Sequence, residues 1–281
     1  MRNFTVDLNP HRSVTLEATV FDRPLDSEQP TPLEHPRPAV IICPGGGYEF
    51  LSQRESDPVV ASFLAAGFNT YLLRYSIGEH ALGPNPAVDA ARAVRWVRAH
   101  ADEHGVDPTR VALLGFSAGG HVAGMLGTHW DDADLVAAER AEYEALVAEG
   151  VAANSGLLDF DSRPDAIVAC YAVFSMDWVD RRSRPGLTFG DCIEAVSQAT
   201  PPTFLWTTNE DATVPPTQSL RFATALAREG VEFEYHHFDR GAHGLSTATP
   251  LANADRAALP ENAHAWLALC LAWLRATWVS R

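Results

Sequence analysis

Apolar and polar residues alternate over 13–21, SVTLEATVF, the period-two pattern of a strand with one face in a core and one in water. Further on the pattern changes. Short runs rich in apolar and β-branched residues recur at 39–43, 68–74, 110–115, 166–174, 202–207 and 231–236 and read as further strands, the most apolar of them buried on both faces. Between them, 57–66, 86–104, 118–127, 217–229 and 262–277 read as helices. In 86–104 the stripe is Val88, Ala91, Val94 and Val97, closed by Gly105; in 57–66 Pro58 sits in the first turn and Gly67 follows the last. This alternation of strand and helix predicts an α/β chain: a mainly parallel sheet flanked by helices on both faces, a three-layer αβα sandwich.

One segment breaks the rhythm. Residues 131–150 predict an extra, acid-rich helix with Leu135, Ala138, Ala141 and Ala145 three or four apart and Glu142 spoiling the stripe; a loose stretch runs on to about 164. The insertion, about 129–164, is either a solvated surface helix or a cap over a pocket at the carboxyl edge of the sheet, and the spacing does not choose. The Pro-rich, charged stretch 23–38 reads as a surface loop, and 281 residues suit one domain.

Acids outnumber bases 36 to 21, a formal charge of -15, which argues against nucleic acid and anionic membranes as partners. Every basic residue is arginine. The absence of lysine excludes a pyridoxal Schiff base, a Ser–Lys dyad and a P-loop. Cys43, Cys170, Cys192 and Cys270 show no C-x-x-C spacing and read as small buried hydrophobes. The opening MRNFTVDLNP has no apolar leader core, and no stretch approaches the ~20 apolar residues of a membrane span. A soluble, cytoplasmic protein is expected, as monomer or homodimer. No cofactor is expected, and no metal, because no histidine cluster has zinc spacing.

Candidate chemistry enters at "GFSAGGH", 115–121, between a predicted strand and a predicted helix. Gly115-Phe116-Ser117-Ala118-Gly119 fits G-x-S-x-G, in which a sharp turn lifts a serine above the sheet and small neighbours make room for it. Ser117 is the candidate nucleophile, and Ala118 offers an amide at a helix N-terminus. A hydroxyl needs a base. His243, in the glycine-flanked loop 240–246, is the candidate; His236, His237 and His121 are alternatives read as structural. Asp211, in NEDATVP after the strand 202–207, is the candidate acid, ahead of Glu210 and Asp177. The glycines after the strand 39–43 bring the amides of Gly46 and Gly47 forward as oxyanion donors, while neither G-x-G-x-x-G nor G-K-[ST] is present to suggest phosphate.

With these segments in this order, PGGGY (44–48), LSQRESDPV (51–59), LRYS (73–76), GFSAGGH (115–121), PPTFLWTTNEDATVP (201–215) and GAHGLS (241–246), the chain resembles the α/β-hydrolase superfamily. More closely it is similar to compact bacterial acetylesterases related to acetyl-xylan and feruloyl esterases and to dienelactone hydrolases. The resemblance implies Ser117 as nucleophile, His243 as base then acid, Asp211 orienting the imidazole, and the N–H groups of Gly46, Gly47 and Ala118 as oxyanion hole. It implies a carboxylic ester substrate, a small molecule or carbohydrate with a short acyl group such as acetyl. Cys43-Pro44 stand where many relatives carry histidine. Tyr48, Phe50, Phe174 and Trp178 are expected to line the pocket, and Arg54 and Glu55 to form an ion pair at its mouth. A serine peptidase of prolyl-oligopeptidase type and a catalytically silent binding protein of the same fold remain the alternatives.

Overall fold

The structure, a computed structural model, describes residues 1–21, 36–152, 156–176, 190–254, 259–260 and 262–279. Among these residues eight strands form one sheet: β1 (Arg2–Asn9), β2 (Val14–Val20), β3 (Arg37–Cys43), β4 (Asn69–Arg74), β5 (Val106–Phe116), β6 (Ala166–Cys170), β7 (Thr203–Thr208) and β8 (Phe233–Phe238). Their spatial order is β1-β2-β4-β3-β5-β6-β7-β8. β1 and β2 pair antiparallel, as do β2 and β4, and every pairing from β4 to β8 is parallel.

Seven helices accompany the sheet among these residues: α1 (Asp57–Ala65), α2 (Asn85–Ala99), α3 (Ala101–His104), α4 (Ala118–His129), α5 (Ala133–Ala148), α6 (Thr217–Glu229) and α7 (Ala265–Val279). Alternate residues of each central strand feed two separate cores. Val40 and Ile42 of β3 and Leu114 and Phe116 of β5 pack with Val59 and Phe63 of α1 and Trp266 and Leu274 of α7. Their neighbours Ile41, Cys43, Val111 and Leu113 pack with Val94 and Val97 of α2, Val122 and Leu126 of α4 and Phe222 of α6. Both faces are dry, which is why these strands read as apolar runs. Each such buried side chain contributes about 1.5–3 kcal/mol.

Three differences from the sequence reading have physical reasons. β1 was not foreseen: Phe4, Val6 and Leu8 alternate with polar residues, but the strand lies at the sheet edge and is largely exposed. The single helix expected over 86–104 divides at His100, whose backbone (φ -109, ψ 17) leaves helical geometry. The extra helix forms as α5, capped by Asp132, which accepts the N–H groups of Asp134 and Leu135. It lies against α2 through Arg95 Nε–Glu139 Oε1 (2.9 Å) and Arg92 Nη1–Glu142 Oε1 (2.6 Å), and Glu142 also meets Arg12. Glu142 thus breaks the apolar stripe because its face is ionic. Among the described residues none of α5 lines the cavity beside Ser117; the helix is braced on α2.

All four cysteines are buried and unbridged, and burial pushes their thiols above the ordinary range. Among the described residues no helix is long and apolar enough to cross a membrane.

Candidate active site

Ser117 stands between the end of β5 and the start of α4 with φ 52 and ψ -115, a conformation few non-glycine residues adopt. The crowding around it is severe. A Cβ on Gly115 would lie 2.0 Å from the Gly119 carbonyl oxygen, one on Gly119 2.1 Å from that of Cys43, and one on Gly120 2.3 Å from the Ala172 Cβ. The Ser117 N–H donates to Cys170 O at 3.0 Å, fixing the turn to β6.

Parallel strands deliver their carboxyl ends to one edge, and two further loops arrive there from β7 and β8. His243 Nδ1 lies 2.7 Å from Asp211 Oδ2, so the ring carries its proton on Nδ1 and turns the lone pair of Nε2 toward Ser117 Oγ, 2.9 Å away. Asp211 is buried, and its Oδ1 accepts the N–H groups of Thr213 (2.9 Å) and Val214 (2.8 Å). The carboxylate is thereby held by its own turn before it meets the histidine.

The rival residues are engaged elsewhere. Glu210 accepts the Gly241 N–H at 2.9 Å, and the Thr208 hydroxyl donates to Gly241 O at 2.6 Å, so both pin the start of the His243 loop. His236 pairs with Glu234, and His237 lies by the Tyr235 hydroxyl. His121 is fully buried, with Nδ1 2.7 Å from the Tyr48 hydroxyl, and burial pushes its pKa down to about 4. Asp177 lies outside the described residues.

A cavity of about 460 Å³ opens beside Ser117 and His243, with Gly46, Gly47, Glu49, Phe50 and Thr213 in its wall. Gly46 needs to be glycine: at φ 133 its Cβ would lie 1.9 Å from Phe50 O. The Tyr75 hydroxyl donates to Pro44 O at 2.5 Å, steadying the loop where the resemblance leads one to expect histidine. Ala118 opens α4, so its amide is among those that helix geometry leaves without an intrahelical acceptor.

Of the expected pocket aromatics, Phe50 is exposed at the cavity, but two are corrected. Tyr48 turns inward at φ 65 and is buried on His121 beneath the glycine loop. Phe174 is fully buried and stacks on Phe222 with centroids 4.0 Å apart, because the chain re-enters the core after β6. Trp178 lies outside the described residues. The expected Arg54–Glu55 ion pair is also absent. Glu55 is buried, its oxygens taken by the Gly45 N–H and the Tyr171 hydroxyl, while Arg54 Nη1 reaches Asn253 Oδ1 at 3.4 Å. Glu49 and Thr213 of the cavity wall were missed; they flank PGGG and the Asp211 turn, and that adjacency was the available signal.

Sheet order, elbow and edge loops together define the α/β-hydrolase fold. Within it, the chain belongs to the BD-FAE family, whose model matches residues 25–226. It is 31% identical over 226 residues to endo-1,4-beta-xylanase B of Butyrivibrio fibrisolvens, covering 75% of this chain but only 33% of that protein. The acetyl ester-xyloside bifunctional hydrolase of Caldicellulosiruptor lactoaceticus is similar at 33% identity and a TM-score of 0.74, over 95% of this chain and 89% of that one. The carboxylesterase Cest-2923 of Lactobacillus plantarum WCFS1 is similar at 27% identity and a TM-score of 0.81, over 98% and 96%.

Proposed function

We propose that the chain is a serine hydrolase of carboxylic esters that works through an acyl-enzyme, with short acyl groups such as acetyl on a sugar or small alcohol as its substrates. The observation that carries the reading is the hydrogen-bonded row Ser117–His243–Asp211 at the mouth of a cavity. Ser117 Oγ attacks the ester carbonyl as its proton passes to His243 Nε2, and Asp211 holds the imidazolium that results. The tetrahedral oxyanion is met by the amides of Ala118, Gly46 and Gly47. The carbonyl re-forms as His243 returns the proton to the leaving alcohol. Water then takes the place of the alcohol, and the same transfers release the acid and Ser117.

Family membership and the likeness to a named carboxylesterase support the reaction class. Preference for acetyl rests on the likeness to a hydrolase named for acetyl esters. Hydrolysis of p-nitrophenyl esters of rising chain length tests both. Cleavage that falls steeply beyond propionate and vanishes in Ser117→Ala is expected; a long-chain optimum would reject the acyl assignment. An intact chain that cleaves none of them and leaves a fluorophosphonate unreacted would reject the reaction itself.

A further inference from the structure

Beside the site lies a buried acid that the proposed chemistry does not use. Glu55 is 3% exposed. Its Oε2 accepts the Gly45 N–H at 2.8 Å, and its Oε1 accepts the Tyr171 hydroxyl at 2.6 Å. The Tyr171 oxygen in turn accepts the Ser246 N–H at 2.9 Å, and the Tyr171 ring stands edge-on to the His243 imidazole with centroids 5.0 Å apart. A second link closes the circuit, since the Ser246 hydroxyl donates to Arg54 O. Three segments distant in sequence are thereby joined through two side chains, Glu55 and Tyr171: the glycine loop, the end of β6, and the loop that carries His243.

The arrangement is held against opposing costs. Tyr171 (φ 37) and Ser246 (φ 53) both occupy the left-handed region, which non-glycine residues seldom adopt. Burial pushes the Glu55 carboxyl above its ordinary range, opposed by the Tyr171 and Gly45 hydrogen bonds. An apolar side chain there would avoid the desolvation, but it would fix neither donor's direction.

We propose that Glu55 is a positioning residue, which through Gly45 and Tyr171 sets the oxyanion amides and His243 in register on either side of Ser117. This rests on the ester-hydrolase reading above. Glu55→Gln keeps the size but offers one acceptor oxygen to two donors, and Tyr171→Phe keeps the ring on His243 while removing the hydroxyl. Each is expected to lower kcat for p-nitrophenyl acetate about 30-fold with KM within about threefold, as for a modest misplacement of reacting groups. The double variant should be little worse than either single one, because all three cut one network. Amide exchange at Gly45 and Ser246 should quicken in both single variants. Unaltered kcat in Glu55→Gln, additive losses in the double variant, or unchanged exchange at both amides would overturn the inference while leaving the ester reading intact. Failure of the unaltered chain to cleave any ester would instead overturn that reading, and the exchange rates would still decide whether Glu55 ties the two loops.

Discussion

At Ser117 the backbone is held in a conformation that costs about 1–3 kcal/mol, and its neighbours are what allow it. Gly119 is one of the tight constraints, because a Cβ there would lie 2.1 Å from the Cys43 carbonyl oxygen and 2.5 Å from that of Pro44, both backbone atoms. Gly119→Ala should therefore lower stability by about 3 kcal/mol or more, read by chemical denaturation. Asp211→Asn acts differently. Its Oδ1 contacts to Thr213 and Val214 can persist, but an amide facing Nδ1 favours the wrong imidazole tautomer. Stability should change little while kcat falls about 10⁴-fold. His121 makes a pH prediction. Its pKa is pushed from 6.5 down to about 4 by burial, so between those values the unfolded chain binds the proton and the folded chain does not. Stability from this residue is complete above pH 6.5 and is lost as pH falls toward 4, about 3 kcal/mol in all. Denaturation curves from pH 7 to 4 should show that slope, and His121→Asn should flatten it.

Helix α5 shows what an element contributes when its contacts are ionic. Glu139 is 1% exposed against Arg95, so removing one partner leaves a buried charge uncompensated. Glu139→Ala should cost about 3–5 kcal/mol, and Glu139→Leu with Arg95→Met should recover most of it. Neither should move KM for a small ester, since α5 takes no part in the cavity wall. A changed KM at full folding would instead favour α5 as a cap. Elements of this kind mark where sequence pattern stops being informative. The runs at 39–43 and 110–115 were legible because both faces are apolar, and Ser117 because glycine spacing and a strand–helix corner coincide. His243 stood out from ten other histidines by its glycine neighbours, and the structure brings it to Ser117. Glu55 was misread because adjacency to Arg54 does not say which side of the short turn Gln53–Glu55 faces inward. Phe174 and Tyr48 failed for a related reason: an aromatic beside a motif faces pocket or core according to one backbone angle, and φ 65 at Tyr48 cannot be read from its letters.

Taken whole, the molecule gathers Ser117, Asp211 and His243 from the ends of β5, β7 and β8 at one sheet edge, and it does so inside a strongly negative field. The formal charge is -15, and Glu49 stands in the cavity wall with Arg54. At 0.01 M ionic strength the Debye length is about 30 Å, so the whole charge distribution acts on an approaching ester; at 0.15 M it is about 8 Å, and only the nearest groups do. An anionic ester should therefore be kept out at low salt and admitted as salt rises, while a neutral ester of similar size should not respond. Comparing p-nitrophenyl acetate with the hemisuccinate of p-nitrophenol across that range isolates the effect, because both release the same alcohol through the same transfers. For the hemisuccinate, kcat/KM is expected to rise about threefold, short of the roughly tenfold lower end of steering by a charge-lined cleft, and for the acetate to stay within about 1.5-fold. An equal rise for both would place the action of salt on the protein itself. A fall for the hemisuccinate alone would mean that Arg54 outweighs the surrounding acids at the point of entry, and that the site favours anionic acyl groups against the charge of the chain as a whole.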